Sequence, residues 1–162
     1  MTERRRTIEW QDVRLCAAGA EGRSGLAFLS AIVEGAVPQP PISQTLRFRL
    51  AAVAEGFARF EGAPDESLCN PMGSVHGGIA ATLLDSAMAS AIMTTLDERT
   101  AYTTAQLAVH LVRPITAKVT SYAAEGRLVH RGGRVATAEG RLFDPEGALL
   151  AHGTTTCLLF AR

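Results

Sequence analysis

Residues that could do chemistry are concentrated in one run, which reads Asn-Pro-Met-Gly-Ser-Val-His-Gly-Gly over residues 70–78 and leads into an apolar segment. Two adjacent glycines at a helix start are poor for stability, since each costs up to ~1 kcal/mol against alanine inside a helix. They do let a ligand approach the backbone closely. A helix N-terminus also presents unpaired N–H groups and a partial positive charge, which suit an oxyanion. The N–H of Gly77 is therefore a candidate to polarise a carbonyl group, and the alternative is that Gly77 and Gly78 only allow close packing.

Asp85 is the second unusual residue, because it is the only charged side chain in the apolar stretch 77–96. A carboxylate that is partly removed from water suits a general base that activates a water molecule. The alternative is a solvated aspartate on a small polar arc of the helix.

The spacing of these two residues limits what one chain can do. Gly77 and Asp85 are eight positions apart, which is ~12 Å along a helix and ~80° around it. They cannot both touch one carbonyl carbon from the same helix. Two copies of the helix running antiparallel across a two-fold axis would bring Asp85 of one copy to Gly77 of the other. The functional interpretation therefore predicts a homodimer with composite sites.

The patterning around this segment predicts the elements that must position it. Hydrophobic alternation with period two predicts strands before and after residues 77–96 in the chain, and those residues themselves are predicted to form one long buried helix. The strands are expected over residues 46–52, 57–61, 104–112, 118–129, 134–143 and 149–160. Two strands, one helix and then four strands indicate an α+β fold, in which an antiparallel sheet folds around that helix.

The first forty-five residues are expected to form an arm, with the main domain over residues 46–162. Ser24 can cap a short helix over residues 24–35, and Pro38, Pro40 and Pro41 predict an extended linker. The run Arg4-Arg5-Arg6 is typical of a solvated tail.

Composition excludes several classes of function. Sixteen basic residues balance sixteen acidic ones, so the broad basic footprint of a nucleic-acid binder is missing. Three widely spaced cysteines form no CxxC pair, which argues against a disulfide framework and against a zinc site. No apolar signal segment is visible near the start, so we expect a cytoplasmic protein. Asp85 in the middle of the stretch 77–96 favours a buried helix over a membrane span.

The spacing Asn70-x-x-Gly73-x-x-His76-Gly77-Gly78-x-x-x-x-Leu83-x-Asp85 closely resembles the signature of hotdog-fold acyl-CoA thioesterases of the phenylacetate-degradation (PaaI-like) type. The stretch Tyr-Thr-Thr-Ala-Gln-Leu at 102–107, ending in Val-Arg-Pro at 112–114, is similar to the next strand of that family. The resemblance covers roughly residues 24–160. It implies an antiparallel sheet wrapped around a long central helix, hydrolysis of an acyl-CoA, and no cofactor besides the CoA of the substrate.

The resemblance also implies roles for individual residues. Asp85 matches the catalytic acid, which acts as general base or nucleophile, and Gly77 matches the backbone donor to the thioester oxygen. Asn70 matches a side chain that positions the thioester or the water, and Thr104 a hydroxyl that assists the water. His76 is largely structural in the family, with direct ligand contact as the alternative. In relatives the acid and the hydroxyl come from the partner subunit, in a dimer or a dimer of dimers.

The sequence alone leaves three points open: the orientation of Thr104, the residues that contact CoA phosphates, and the choice among related functions. Thr104 shares strand parity with Gln106, opposite to Leu107, so without a bulge its side chain would point away from the helix. Candidates to contact CoA phosphates are Arg131, Arg134, Arg113 and Gly78. The alternative functions are a non-catalytic acyl-CoA-binding hotdog protein, or an enoyl-CoA hydratase of the same fold that uses His76 and Asp85.

Overall fold

The stretches with period two form one six-stranded antiparallel sheet. The structure is a computed structural model, and it describes residues 3–162. Its strands are β1 Phe48–Ala54, β2 Phe57–Gly62, β3 Thr100–Leu111, β4 Tyr122–Arg131, β5 Val135–Phe143 and β6 Leu149–Ala161. Their order across the sheet is β1-β2-β4-β5-β6-β3, so β1 and β3 lie at the two edges.

Four α-helices accompany the sheet: α1 Val13–Gly19, α2 Gly25–Val33, α3 Pro41–Leu46 and α4 Gly77–Met93. The long helix α4 crosses one face of the sheet and contacts all six strands. Its side chains Leu83, Leu84, Met88 and Ile92 are completely buried. The predicted α+β class, with an antiparallel sheet folded around a long helix, is therefore confirmed. No helix within residues 3–162 combines the length and the hydropathy needed to cross a membrane.

Helix α4 lies unusually close to the sheet because glycine faces it. A Cβ atom built on Gly126 of β4 would lie 2.2 Å from the carbonyl oxygen of Ala87. Such a contact is far inside van der Waals distance, so only glycine fits at this crossing. The close approach fixes the height of α4 above the sheet, and with it the position of Asp85.

Several element bounds differ from the predicted ones. Helix α4 ends at Met93, where the Thr94 hydroxyl donates to the Ala91 carbonyl at 2.7 Å and accepts from the Gly56 N–H at 2.8 Å. Strand β4 begins at Tyr122, four residues later than expected. Pro41 starts helix α3 instead of extending the linker, because proline fits the first position of a helix, where no N–H is needed. The predicted helix over residues 24–35 is present as α2, capped by Ser24.

The arginine run at the start of the chain contacts the domain. The expectation of a solvated tail is wrong for Arg6, which is half-buried, whereas Arg4 and Arg5 stay exposed. The Arg4 guanidinium donates to a carboxylate oxygen of Glu66 at 2.9 Å. Arg6 donates to the Ser67 hydroxyl at 3.0 Å and to the Thr45 carbonyl. The contacts of Arg4 with Glu66 and of Arg6 with Ser67 span 62 and 61 residues, and that of Arg6 with Thr45 spans 39, so local patterning does not reveal them.

The two edge strands of the sheet differ in how far their backbone groups are paired or covered. At the β1 edge, the side-chain amide of Gln39 donates to the Leu50 carbonyl at 3.1 Å and accepts from the Leu50 N–H at 3.0 Å. Helix α2 also packs against this strand. Strand β3, twelve residues long, has no strand on its outer side within the described part of the chain. The open edge of the sheet is therefore β3.

Candidate active site

The start of α4 leaves one backbone donor without a partner. His76 is the N-cap residue, and its Nδ1 accepts the N–H of Gly78 at 3.0 Å. The carbonyl of His76 accepts the N–H of Ile79 at 2.9 Å. Within residues 3–162 the N–H of Gly77 has no hydrogen-bond acceptor. This donor sits where the helix dipole is positive, so it is suited to bind a developing negative charge.

Gly77 lines a cavity of about 270 Å³ at this end of the sheet. Asn70 and His76 line the same cavity on one side, and the end of β3 with Arg113 and Ile115 lines the other. The wall is held in place by backbone bonds, Val75 N–H to the Ile115 carbonyl at 2.9 Å and Arg113 N–H to the Leu150 carbonyl at 3.0 Å. The resulting cavity is partly apolar, and Gly77, whose N–H has no acceptor in the described residues, is part of its lining.

Asn70 shapes the loop before the helix. Its side-chain oxygen accepts the N–H groups of Met72 at 2.9 Å and Ser74 at 3.3 Å, and its Nδ2 donates to the Ser74 hydroxyl at 3.0 Å. Gly73, with a φ of 79°, completes this tight turn. An amide nitrogen carries two hydrogens, so one donor of Asn70 is left over for a molecule in the cavity.

Asp85 lies half-buried on the side of α4 that faces strand β3. The Thr104 hydroxyl donates to its Oδ1 at 3.0 Å. One oxygen of the carboxylate is thereby held, and Oδ2 has no protein donor within residues 3–162. A carboxylate fixed in this manner can accept a proton or attack an electrophile with its other oxygen.

The orientation of Thr104 depends on a β-bulge. The register between β3 and β6 shifts between Thr104 and Gln106, so Thr104 pairs with Cys157 while Leu107 pairs with Thr155. Cys157 and Thr155 both face α4 and are buried, so Thr104 and Leu107 face α4 as well. The extra residue at Ala105 thus reverses the parity that a regular strand would have.

The bulge is held by a buried threonine. The Thr155 hydroxyl donates to the carbonyl of Gln106 at 2.9 Å, and Thr155 is 1% exposed. A carbonyl displaced from the strand ladder by a bulge needs such a donor. Thr155 therefore acts on Asp85 indirectly, through the strand that carries Thr104.

Two residues near Asp85 were not singled out from the sequence. Burial raises the pKa of Tyr102 to about 12, with Cys157 and Asp85 adding to the effect, so the phenol stays neutral. Burial also raises the pKa of the Cys157 thiol, whose sulfur lies 3.9 Å from the Thr104 hydroxyl. A protonated thiol is a poor nucleophile. The sequence signal for Tyr102 was its position two residues before Thr104, on the same side of the strand.

The candidate residues fall into separate groups within one chain. Asn70, His76, Gly77 and Arg113 line the cavity, with Gly78 next to them, whereas Asp85 and Thr104 do not. Arg131 lies at the opposite end of the sheet. It pairs with Ala136, which pairs with Cys157, the partner of Thr104, so Arg131 and Thr104 lie in one row across the strands. Arg134 follows in the same hairpin. Within residues 3–162 no group of three or more His, Cys, Asp or Glu side chains is placed to hold a metal ion.

Comparison with known proteins bears on the family and the fold. Residues 72–151 match the family model described as Thioesterase superfamily. A phenylacetic acid degradation-related protein from Ralstonia eutropha JMP134 is similar in structure, with a TM-score of 0.72 and 29% identity over 80% of this chain and 98% of that chain. A mutant of the phenylacetic acid degradation protein PaaI from Thermus thermophilus has a TM-score of 0.66 and 26% identity, over 73% of this chain and 97% of that chain.

A thioesterase family protein from Silicibacter pomeroyi, with a TM-score of 0.73 and 23% identity over 83% of this chain and 99% of that chain, shares the fold. No protein with a curated description matches the chain. The predicted resemblance is confirmed, and residues 72–151 belong to the thioesterase superfamily. The fold is the hotdog fold, and the family match together with these similar structures supports a PaaI-like thioester hydrolase.

The bulge leads to a prediction about Thr155. Replacing Thr155 with Val keeps the shape but removes the donor to Gln106, which should cost about 1–2 kcal/mol of unfolding free energy. The released strand misplaces Thr104, so we expect kcat for a thioester to fall by about tenfold or more with KM nearly unchanged. Steady-state kinetics and urea unfolding provide the measurements. Thr154→Val, on the opposite face of β6, is the matched control, and equal kinetics in the two variants would contradict the role of Thr155.

Proposed function

We propose that the chain hydrolyses acyl-CoA thioesters in a homodimer, and that each site combines Gly77 of one subunit with Asp85 of the other. The observation that carries the proposal is the free N–H of Gly77 on a cavity that Asp85 of the same chain does not line. Both halves of a hydrolytic site are thus present in the sequence, but they lie apart on one rigid helix.

The cavity supplies the electrophilic half of the reaction. The thioester carbonyl oxygen accepts the Gly77 N–H, and the positive end of the α4 dipole favours the negative charge that this oxygen gains. The free amide hydrogen of Asn70 is available to the thioester or to the attacking water. His76 contributes by capping the helix, since its Nδ1 is occupied by the Gly78 N–H.

The carboxylate supplies the nucleophilic half. As a general base, Asp85 takes a proton from water while the water oxygen bonds to the carbonyl carbon. The tetrahedral intermediate then releases the CoA thiolate, which gains a proton, and the products are a carboxylic acid and CoA. As a nucleophile, Asp85 would instead attack the carbon itself and expel the CoA thiolate, which gains a proton. Water then opens the resulting anhydride and releases the carboxylic acid and free Asp85. In both routes the Thr104 hydroxyl holds Oδ1 and leaves Oδ2 to react.

The open edge of the sheet supports the dimer. A twelve-residue strand with unpaired backbone groups is a template for pairing with another chain. Leu107 and Leu111 on β3, which face the α4 side, are 37% and 60% exposed. Pairing β3 with β3 of a second copy would cover these leucines and give the backbone N–H and C=O groups of the edge their hydrogen-bond partners. Such a contact uses the same surface on both copies, so the assembly is complete with two subunits.

One pairing register would complete both sites at once. Thr104, which holds Asp85, and Leu111, whose Cδ1 would lie 2.5 Å from a Cβ on Gly77, are seven residues apart on β3. In an antiparallel pair centred on Ala108, Leu107 of one strand lies opposite Val109 of the other. With Ala105 as the extra residue of the bulge, Thr104 then lies opposite Leu111. Asp85 of each subunit then approaches Gly77 of its partner. The small side chains Ala81 and Ala89 on α4 permit the two helices to come close.

The free cysteines support a reducing compartment. Cys16, Cys69 and Cys157 form no disulfide. Unpaired thiols are typical of cytoplasmic proteins, and we infer that location for this enzyme.

Asp85→Asn tests the carboxylate. Asparagine keeps the shape and an oxygen for the Thr104 hydroxyl, so the variant should fold and associate normally. It cannot take a proton or attack the substrate, so turnover of acyl-CoA should fall by at least ~100-fold. Thiol release from short, medium, long and aromatic acyl-CoAs measures the effect, and size-exclusion chromatography checks the assembly. Unchanged turnover would refute the assignment of Asp85.

Gly77→Pro tests the backbone donor with a close control. Proline is tolerated at the first position of a helix, and His76 has the extended conformation, φ −60° and ψ 134°, that a residue before proline prefers. Gly77→Ala adds a Cβ atom near Leu111 but keeps the N–H. We expect kcat of the proline variant to be about 100- to 1,000-fold below that of the alanine variant. Equal kcat values in the two variants would exclude the N–H as the oxyanion donor.

Mixing the two inactive chains tests the composite site. In heterodimers of Asp85→Asn and Gly77→Pro chains, one of the two sites combines an intact Gly77 with an intact Asp85. A 1:1 co-expressed mixture should therefore regain about a quarter of the activity of the unmodified protein, given random pairing in a two-fold dimer. Each variant alone stays inactive. No recovery in heterodimers isolated with two different tags would show that each site lies within one chain.

A further inference from the structure

The arginine run that the proposed reaction does not use lines a cavity of its own. Arg4, Arg5, Arg6 and Arg47 surround a space of about 540 Å³, together with Asp65 and the two residues that follow it. Three of the four arginines come from one short segment, and Arg47 comes from the residue between α3 and β1. Four guanidinium groups around one concave surface are the kind of site that binds phosphate.

Charge remains after the internal ion pairs are counted. Arg4 pairs with Glu66 at 2.9 Å, and Arg47 and Arg6 approach Asp65. Two carboxylates thus face four guanidinium groups. Arg5 is exposed and forms no ion pair within residues 3–162. Each guanidinium has five N–H donors, of which these contacts use only one or two, so the cluster keeps both net positive charge and free donors.

A third cavity lies between the arginine cavity and the cavity of Gly77. It has a volume of about 570 Å³ and shares Asp65 and Glu66 with the arginine cavity. It shares Val75 and Ile115 with the Gly77 cavity. Its wall mixes apolar and hydroxyl side chains and carries no basic residue. The three cavities therefore adjoin one another, from the one with the oxyanion donor, through one without basic side chains, to the one lined by arginines.

We propose that Arg4, Arg5, Arg6 and Arg47 bind the phosphate groups at the nucleotide end of the CoA substrate. The inference rests on the proposed function, because CoA is the thioester carrier with an uncharged pantetheine arm and a phosphorylated end. The order of the three cavities matches that order of chemical groups. Arg113 lines the Gly77 cavity and is therefore close to the carbonyl. Arg131 and Arg134 lie at the other end of the sheet in the same chain. They could therefore reach this site only from the second subunit of the proposed dimer, and the experiment includes them as the competing candidates.

The experiment compares two substrates that carry the same acyl group. For acyl-CoA, Arg5→Gln should raise KM by about tenfold and leave kcat unchanged, as expected for the loss of one charged hydrogen bond that forms on binding. For the acyl-pantetheine thioester, which has no phosphate, the same variant should have the KM of the unmodified protein. Arg14→Gln is the matched control, since Arg14 is an exposed arginine of the same segment paired with Asp12.

A binding measurement separates this inference from the proposed reaction. Calorimetry with adenosine 3′,5′-bisphosphate should give a Kd about tenfold higher for Arg5→Gln than for Arg14→Gln. Binding that depends on Arg5 in a protein that hydrolyses no acyl-CoA would support the phosphate site while refuting the proposed function. Hydrolysis with the same KM in Arg5→Gln would overturn the phosphate site. Equal effects on acyl-CoA and acyl-pantetheine would also overturn it, and so would a loss confined to Arg131→Gln/Arg134→Gln.

Discussion

The fixed rise of the α-helix separates the two reactive groups of this protein. Gly77 begins α4 and Asp85 lies two turns further on, so that ~12 Å of rigid helix lies between them. The helix cannot bend to bring them together, because Leu83, Leu84 and Met88 are buried on its sheet side and Gly126 leaves no clearance beneath Ala87. A second copy of the helix is the simplest way to bring an Asp85 and a Gly77 to the same thioester carbonyl group. In the proposed dimer, the catalytic geometry and the oligomeric state are consequences of the same constraint.

Strand β3 connects this constraint to the edge of the sheet. The strand carries Thr104, which holds Asp85, and Leu111, which packs at Gly77, and it is also the edge without a partner strand in the part of the chain that the structure describes. The opposite edge is protected by the amide of Gln39 and by α2. This asymmetry directs association to the side of the sheet where the site residues lie. The bulge held by Thr155 belongs to the same arrangement, because it turns Thr104 and Leu107 to one face.

Sequence patterning predicted those parts of the molecule that depend on local periodicity. The long apolar helix with a single carboxylate and the alternating strands were sufficient for the fold class and for the candidates Gly77 and Asp85. The orientation of Thr104 could not be predicted, because one inserted residue in β3 reverses strand parity and its stabilising bond comes from Thr155, about fifty residues later. Pro41 was misassigned because proline is compatible with both an extended linker and a helix start. The contacts of Arg4 and Arg6 are long-range ion pairs, which have no local signature.

Those long-range contacts also explain how an exposed arginine cluster can be ready to bind an anion. Exposed ion pairs contribute only about 0–1 kcal/mol each, so Glu66 and Asp65 do little to stabilise the fold through Arg4 and Arg47. They do hold the guanidinium groups in place around one cavity, which reduces the conformational entropy that a bound phosphate would otherwise have to remove. Asp65 and Glu66 belong to the segment just before Asn70 and its turn. The two carboxylates that contact the arginines therefore lie in the chain directly before the loop that leads to Gly77. In the proposed complex, the same segment would support the residues at both ends of the acyl-CoA.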